Sequence, residues 1–291
     1  MNLVALNAQL AAHFKRQNAA PLAQFSGLSP EQMQYVLYQP LGPASPVRLR
    51  DKIADAALDG VPFLCLTEAL MRVVQREGRI KLTAGGALPR KVIQELYGQY
   101  SERLEYMDGG TAGFNREADW QLLHTVREIA TMGGLLRKAL GSLTVTENGA
   151  ALLAPARRAA LLRVVLTTYT EKFNWAYHDG YGESTEHIGR YGWPFSVYLL
   201  ARFGAETRPP DFYAAKYQTA FPDLLDDLVD EPYAPAEAQF RGAYACRTFM
   251  RFGQWFGLVD FTFPRWEPPV MVSEQVAATP VLGQLFEVVA G

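Results

Sequence analysis

The sequence is poor in cysteine and histidine, and it has no long apolar run. Its 291 residues include two cysteines, Cys65 and Cys246, and four histidines. The cysteines lie far apart in apolar stretches and lack zinc-site spacing, so we interpret both as small buried hydrophobes without a disulfide. No run of about 18 apolar residues occurs, which argues against a transmembrane helix and a membrane partner.

The sequence also lacks a basic excess. Its formal net charge is −2 and its pI is about 6.1. A domain built mainly to hold nucleic acid is usually basic, because neutralised phosphates supply most of the affinity. Any nucleic-acid-binding role must therefore depend on a local patch of charge.

Catalytic motifs are missing as well. There is no G-x-S-x-G elbow, no glycine-rich loop that ends in Lys-Ser/Thr, and no dinucleotide fingerprint. We therefore predict no enzyme activity, no small-molecule cofactor and no metal. The loop from His178 to His187 is the one dense cluster of polar groups. Its two histidines and three carboxylates are the atom types that bind a divalent metal, but their spacing fits no known motif, so a packed, tyrosine-rich connector is the favoured interpretation.

The amino-terminal segment predicts a helix rather than a signal peptide. Leu3, Leu6, Leu10 and Phe14 lie on one helical face, and Lys15 and Arg16 follow the apolar part instead of preceding it. We expect a cytoplasmic protein in which residues 1–60 form a helical lead-in.

Residues 61–155 show the pattern of a compact unit of helices and short strands. Three helices are predicted from apolar faces, and the third spans Asp119–Met132. Ile80-Lys-Leu-Thr83 alternates apolar and polar residues as a half-buried strand does. Residues 135–140 and 143–146 predict a β-hairpin with its turn at Gly141-Ser142. Helix, strand, helix, helix, hairpin is the order of a winged helix.

The rest of the chain predicts a helical connector at 156–235 and a second, smaller winged-helix-like unit at 236–291. In that unit a helix precedes a strand at Leu258–Phe263, with Val270–Val272 as its return strand and a last helix after Thr279-Pro280. The predicted fold class is mainly α: a winged-helix-like domain with small β-hairpins, a helical connector, and the second winged-helix-like unit.

Three motifs carry a resemblance to a family. Ile80-Lys-Leu-Thr83 with Leu88-Pro89, Phe256-Gly-Leu-Val259, and the segment Thr279–Phe286 resemble uncharacterised bacterial proteins with winged-helix-like modules, some of which lie beside SEC-C zinc-knuckle motifs. The segment from Phe63 to Leu153 resembles a winged-helix domain. This chain has no cysteine-rich knuckle, so the resemblance implies a fold and transfers no metal site.

A winged helix that reads DNA uses its third helix and its wing. The third helix offers Gln121, Thr125 and Arg127 as donors, and the wing offers Arg137 and Lys138. The first strand and second helix add cations at positions 79, 81, 90 and 91 that suit a basic edge. Against this, the third helix also carries acidic residues and a net charge of about −1.

These observations support two main hypotheses and a minor one. The first is a bacterial binding protein with winged-helix modules, nucleic-acid-binding or regulatory, whose partner is DNA or another protein. The alternative is a protein-interaction or scaffold module that does not bind DNA. An enzyme that uses the loop from His178 to His187 is the least favoured.

Overall fold

The computed structural model describes residues 3–108, 114–232, 234–267 and 270–289, and the chain in these ranges is mainly helical with small antiparallel sheets. The helices are α1 (Leu3–Ala19), α2 (Pro30–Tyr38), α3 (Asp55–Asp59), α4 (Pro62–Glu77), α5 (Arg90–Asp108), α6 (Gln121–Met132), α7 (Glu147–Leu152), α8 (Arg158–Thr167), α9 (Trp193–Phe203), α10 (Pro210–Ala220), α11 (Ala236–Ala245) and α12 (Pro280–Leu285). The strands are β1 (Val47–Leu49), β2 (Ile80–Lys81), β3 (Leu136–Ala139), β4 (Ser142–Val145), β5 (Val259–Thr262), β6 (Arg265–Glu267), β7 (Val270–Val272), β8 (Gln275–Ala278) and β9 (Phe286–Val288).

The chain divides into two compact units. One, which we call the hairpin unit, comprises Lys52–Asn174 and Gly253–Gly257; the other, the split unit, comprises Met1–Asp51, Trp175–Phe252 and Leu258–Gly291. The predicted boundaries at residues 60, 155 and 235 stay predictions, since a domain is defined by independent folding. Within the described residues, no helix is long and apolar enough to cross a membrane.

Helix α4 forms the centre of the hairpin unit. It begins with a proline in its first turn, where the missing N–H costs nothing, and it ends before Gly78, whose φ of 68° lets the chain reverse. Phe63, Leu66, Leu70 and Val73 are buried, and so is every residue from Phe63 to Met71, so α4 is buried on most sides. Helices α5 and α6 and strand β4 pack against α4.

A three-stranded antiparallel sheet in the order β2-β4-β3 lies beside these helices. Ile80 pairs with Leu143, and both side chains are buried. Strands β3 and β4 form the predicted hairpin, but its turn comes one residue earlier than predicted, at Leu140-Gly141. Both turn residues have positive φ, 49° and 67°, as a two-residue turn of the I′ kind requires.

The split unit is built around α9 and rings from the helices beside it. The first eight residues of α9, from Trp193 to Leu200, are buried. Tyr217 of α10 stacks on Tyr244 of α11 with ring centroids 4.5 Å apart. The hydroxyl of Tyr244 lies 3.0 Å from the Ser196 hydroxyl, so burial leaves both polar groups satisfied.

The strands of the split unit pair differently from the sequence prediction. Strand β5 pairs with β8, whereas Val270–Val272 (β7) pairs with β6. The predicted last helix ends at Leu285, and Phe286–Val288 instead pairs with β1 near the start of the chain. Long-range pairing decides these elements, and local periodicity does not report it.

Candidate nucleic-acid interface

Two arginines flank a threonine on the exposed side of the three-stranded sheet. Arg137 on β3 lies directly opposite Thr144 on β4. Ile80 pairs with Leu143, so Arg79, one residue before Ile80, comes level with Thr144 on the other side. Because side chains alternate across a strand, Arg79 and Arg137 point away from the buried face that carries Ile80 and Leu143. The row Arg79–Thr144–Arg137 therefore crosses the sheet.

A third cation lies on the same side of the sheet. Lys81 on β2 pairs with Ser142 on β4, and its side chain is exposed. We call Arg79, Lys81 and Arg137 the basic face. It places two guanidinium groups and one ammonium group around the hydroxyls of Ser142 and Thr144 on a short, rigid sheet.

A groove of about 670 Å³ follows the basic face, lined in part by Arg79, Arg137, Ser142 and Thr144. A guanidinium presents several N–H donors in a planar fork, and a hydroxyl adds another donor. Forks of this kind match the oxygens of phosphate or carboxylate with two parallel hydrogen bonds. The arrangement therefore suits an oxyanion such as a backbone phosphate.

The nearest carboxylate in the groove is already engaged elsewhere. Glu77 lines the groove, and its Oε1 accepts a hydrogen bond from Arg76 at 2.9 Å. Arg76 also binds Glu95 at 2.7 Å, and this hydrogen bond lowers the pKa of Glu95. Within the described ranges, no carboxylate forms an ion pair with a member of the basic face.

Arg127, one of the predicted DNA-contacting residues, is buried in an ionic cluster. Its Nε donates to Glu117 Oε1 at 2.5 Å, and its Nη2 lies 3.0 Å from Glu128. The backbone N–H of Leu88 donates to the other Glu117 oxygen at 2.6 Å. Only 5% of Arg127 is exposed. Its guanidinium thus serves the interior of the hairpin unit and does not reach a surface.

The charge state of Glu117 depends on the same cluster. Burial alone would raise its pKa, but the hydrogen bond from His124, the charge of Arg127 and the bond from Leu88 together lower it. Glu117 therefore remains ionised and keeps Arg127 paired inside the unit.

Thr125 is buried too, at 2% exposure, because α6 packs on several sides. Helix α4, strand β3 and the π-helical turn Thr168–Lys172 all contact α6. Apart from Met132 at its end, the described side chains of α6 are buried or half-buried. A recognition helix needs an exposed face to enter a DNA groove, and α6 in this arrangement offers little of one.

Gln121, Arg137 and Lys138 occupy different places. Gln121 is half-buried at the start of α6, whereas Arg137 and Lys138 are exposed on β3. Lys138 pairs with Leu143 and therefore lies on the opposite side of the strand from Arg137. A Cβ added at Gly86 would lie 2.9 Å from the Lys138 Nζ, so Lys138 approaches the β2–α5 loop. The structure thus does not gather the five predicted residues into one surface.

The loop from His178 to His187 is anchored by two buried arginines from the helix that follows α11. Arg247 donates to Asp179 at 2.5 Å, to the Thr185 hydroxyl at 2.6 Å and to the Thr185 carbonyl. Arg251 donates to the His178 carbonyl at 2.6 Å. Sequence analysis missed this role because about 70 residues separate the partners. The sequence does place Arg247 and Arg251 among aromatic residues of a predicted helix, and that position could have indicated a buried role.

The part of the chain that the structure describes contains no cluster of side chains suited to bind a metal. No three His, Cys, Asp or Glu side chains there come together as metal ligands. Asp179 is committed to Arg247, and His187 lies 3.2 Å from Glu186 on the surface. Among the described contacts of the loop, those with Arg247 and Arg251 attach it to the split unit.

A comparison with protein families gives a match in the hairpin unit. Residues 59–160 match the family model described as the Y4jL N-terminal domain, a span of about one third of the chain that runs from α3 into α8 and contains the basic face. Comparisons with curated proteins and with solved structures give no match.

Proposed function

We propose that the hairpin unit is a winged-helix-like module that binds the phosphate backbone of DNA through its basic face. The observation that carries the proposal is the cross-strand row Arg79–Thr144–Arg137, exposed and without a carboxylate partner among the described residues. The order α4, β2, α5, α6, β3, β4 supports the winged-helix interpretation. The hairpin then takes the place of the wing.

In this proposal the three-stranded sheet contacts DNA, whereas the sequence predicted that α6 would. Arg137 is kept from the predicted set and joined by Arg79 and Lys81, while Thr125 and Arg127 stabilise the interior. Contacts of this kind position a protein on a duplex without reading its sequence. We therefore expect binding that depends on salt and tolerates different sequences.

The test is the affinity for a mixed-sequence duplex measured by fluorescence anisotropy across a salt series. We expect Arg79→Ala/Arg137→Ala to bind about 100-fold more weakly at low salt, since each charged hydrogen bond contributes roughly tenfold. The slope of log K against log salt should fall in magnitude by about 2, because each lost phosphate contact removes about 0.9.

Two controls make the test specific. Lys172→Ala removes an exposed cation of the hairpin unit outside the basic face and should leave affinity and slope unchanged. Arg79→Lys/Arg137→Lys keeps the charges but loses the planar forks, so its slope should stay near that of the wild type while its affinity drops. A wild type that binds no DNA at low salt, or shows no salt slope, would overturn the proposal.

A protein partner is the second candidate, and one residue favours it. Leu140 at the tip of the hairpin is fully exposed and has a φ of 49°, which is costly for a branched side chain. An apolar residue held in this way suits insertion into a partner's pocket. Affinity capture with wild-type and Leu140→Asn baits tests it: a partner lost only by the variant supports this function, and equal capture contradicts it.

A further inference from the structure

A cavity of about 470 Å³ lies within the split unit, away from the basic face in sequence. Its apolar lining includes Met33 and Leu37 of α2, Tyr191 from the loop before α9, and Phe221 after α10. Ligand pockets for small molecules fall in the range of roughly 300 to 1,000 Å³ and are lined mainly by apolar and aromatic groups. The cavity therefore has the size and lining of a small-molecule site.

The aromatic wall of this cavity is fixed in position. Tyr191 meets Phe221 edge to face, with ring centroids 5.4 Å apart. The buried Tyr217 hydroxyl donates to the Tyr191 carbonyl at 2.6 Å and accepts from the Gly189 N–H at 3.2 Å. Gly192 has a φ of 60°, and a Cβ there would lie 2.6 Å from the Phe221 ring. The loop can approach Phe221 this closely because position 192 is glycine.

The rim of the cavity carries two carboxylates, and the imidazole of His187, 3.2 Å from Glu186, also lines the cavity. Asp223 and Asp227 line it, both are exposed, and neither forms an ion pair with another described residue. Tyr191 is exposed as well and lines the same cavity. A cation at the rim would thus meet two carboxylates and aromatic rings, whose quadrupole attracts cations.

We propose that this cavity binds a small amphipathic cation, a ligand with an apolar or aromatic body and a protonated amine. The body would occupy the space between Met33, Leu37 and Phe221, and the ammonium group would lie between Tyr191 and the two aspartates. This inference does not depend on the proposed DNA-binding function, because the cavity and the basic face belong to different units.

The test uses phenethylammonium chloride as the probe and 2-phenylethanol as its neutral counterpart, with affinities from ligand-observed NMR on the full chain. We expect the cation to bind about tenfold more tightly than the alcohol, because two exposed carboxylates and one ring each contribute a few-fold. Equal affinities, or no binding of the cation, would overturn the proposal.

Substitutions at the rim test which residues cause the preference for the cation. Asp223→Asn/Asp227→Asn should lower the preference for the cation to the few-fold that the ring contributes, while leaving the affinity for the alcohol unchanged. Asp226→Asn is the matched control, since Asp226 is an exposed neighbour that does not line the cavity. A double variant that retains the full preference would contradict the assignment of the rim.

A second measurement on the wild type alone guards against misfolded variants. Added salt should weaken binding of the cation and leave the alcohol unaffected, because ions screen exposed charges. A cation affinity that is independent of salt would show that the carboxylates are not involved and would overturn the proposal.

Discussion

The loop from His178 to His187 in the split unit and the three-stranded sheet in the hairpin unit use arginine in opposite ways. In the split unit, Arg247 and Arg251 are buried and donate to a carboxylate and to loop carbonyls. In the hairpin unit, Arg79 and Arg137 are exposed on the edge strands of a sheet and form no ion pair within the described residues. A buried arginine whose donors are satisfied is part of the fold, whereas an exposed one with free donors is available to a ligand.

The largest loss of stability is expected for a substitution at Arg247. Substitution Arg247→Met leaves Asp179 buried without its cation, so we expect the free energy of unfolding to fall by about 3–5 kcal/mol. Urea denaturation followed by circular dichroism measures it. The double variant Arg247→Met/Asp179→Leu removes both charges and should recover part of the loss. A single variant as stable as the wild type would show that the ion pair does not hold the loop.

The next largest loss of stability is expected when the buried pair of Glu117 and Arg127 in the hairpin unit is broken. Glu117→Gln removes the carboxylate that pairs with Arg127, and we expect a loss of about 2–3 kcal/mol at neutral pH. Urea denaturation at neutral pH is again the measurement. Glu128→Gln is a useful control, because Glu128 is only half-buried and Arg127 keeps Glu117 in that variant.

The stability that Glu117 contributes should depend on pH. The folded pKa of Glu117 lies below its ordinary value of 4.5, so its contribution to stability is complete above that pH and is lost as the pH falls through the lower folded value. The stability difference between wild type and Glu117→Gln should therefore shrink below about pH 4.5. A difference that stays constant into the acid range would contradict this account of the cluster.

A smaller effect is expected at the hairpin tip. Leu140→Asn places asparagine before Gly141, the pair that turns of the I′ kind prefer, so we expect a gain in stability of about 0.5–1 kcal/mol. Thermal unfolding measures it. Leu140→Val is the matched contrast, since a β-branched residue tolerates positive φ poorly and should destabilise the turn.

The smallest effect belongs to the exposed arginines. Arg79→Ala and Arg137→Ala should each change the free energy of unfolding by less than about 0.5 kcal/mol, as surface substitutions usually do. Urea denaturation of the two variants beside Arg247→Met gives the contrast. A large loss of stability in either would mean that the basic face is structural and would remove the distinction between the two sets of arginines.

Much of the hairpin unit could be predicted from sequence because local signals mark its elements. The apolar spacing in α4, the start of α5 after Pro89 and the hairpin near Gly141 all follow from periodicity and turn chemistry. The mainly helical class with small sheets was predicted correctly. The turn itself was placed one residue late, since the positive φ of Leu140 is not suggested by its residue type.

The split unit was harder to predict because distant segments complete it. Helix α10 begins at Pro210, although a Pro-Pro pair by itself fits the end of a helix as well as its start. The acidic residues that follow Phe221 form only a short turn at Pro222–Leu225. The site residues show the same limit: Arg127 was predicted as a donor to DNA on the third helix, but it is buried and pairs with Glu117, ten positions earlier.

The most direct test of the distinction between the two kinds of arginine is an NMR titration that follows the arginine Nε–Hε signals while duplex DNA is added. We expect the signals of Arg79 and Arg137 to shift in a salt-dependent manner, whereas those of Arg127, Arg247 and Arg251 should stay in place and exchange slowly with solvent. Unchanged signals from Arg79 and Arg137, or shifts led by Arg127, would contradict the claim that the sheet, and not α6, contacts the phosphate backbone.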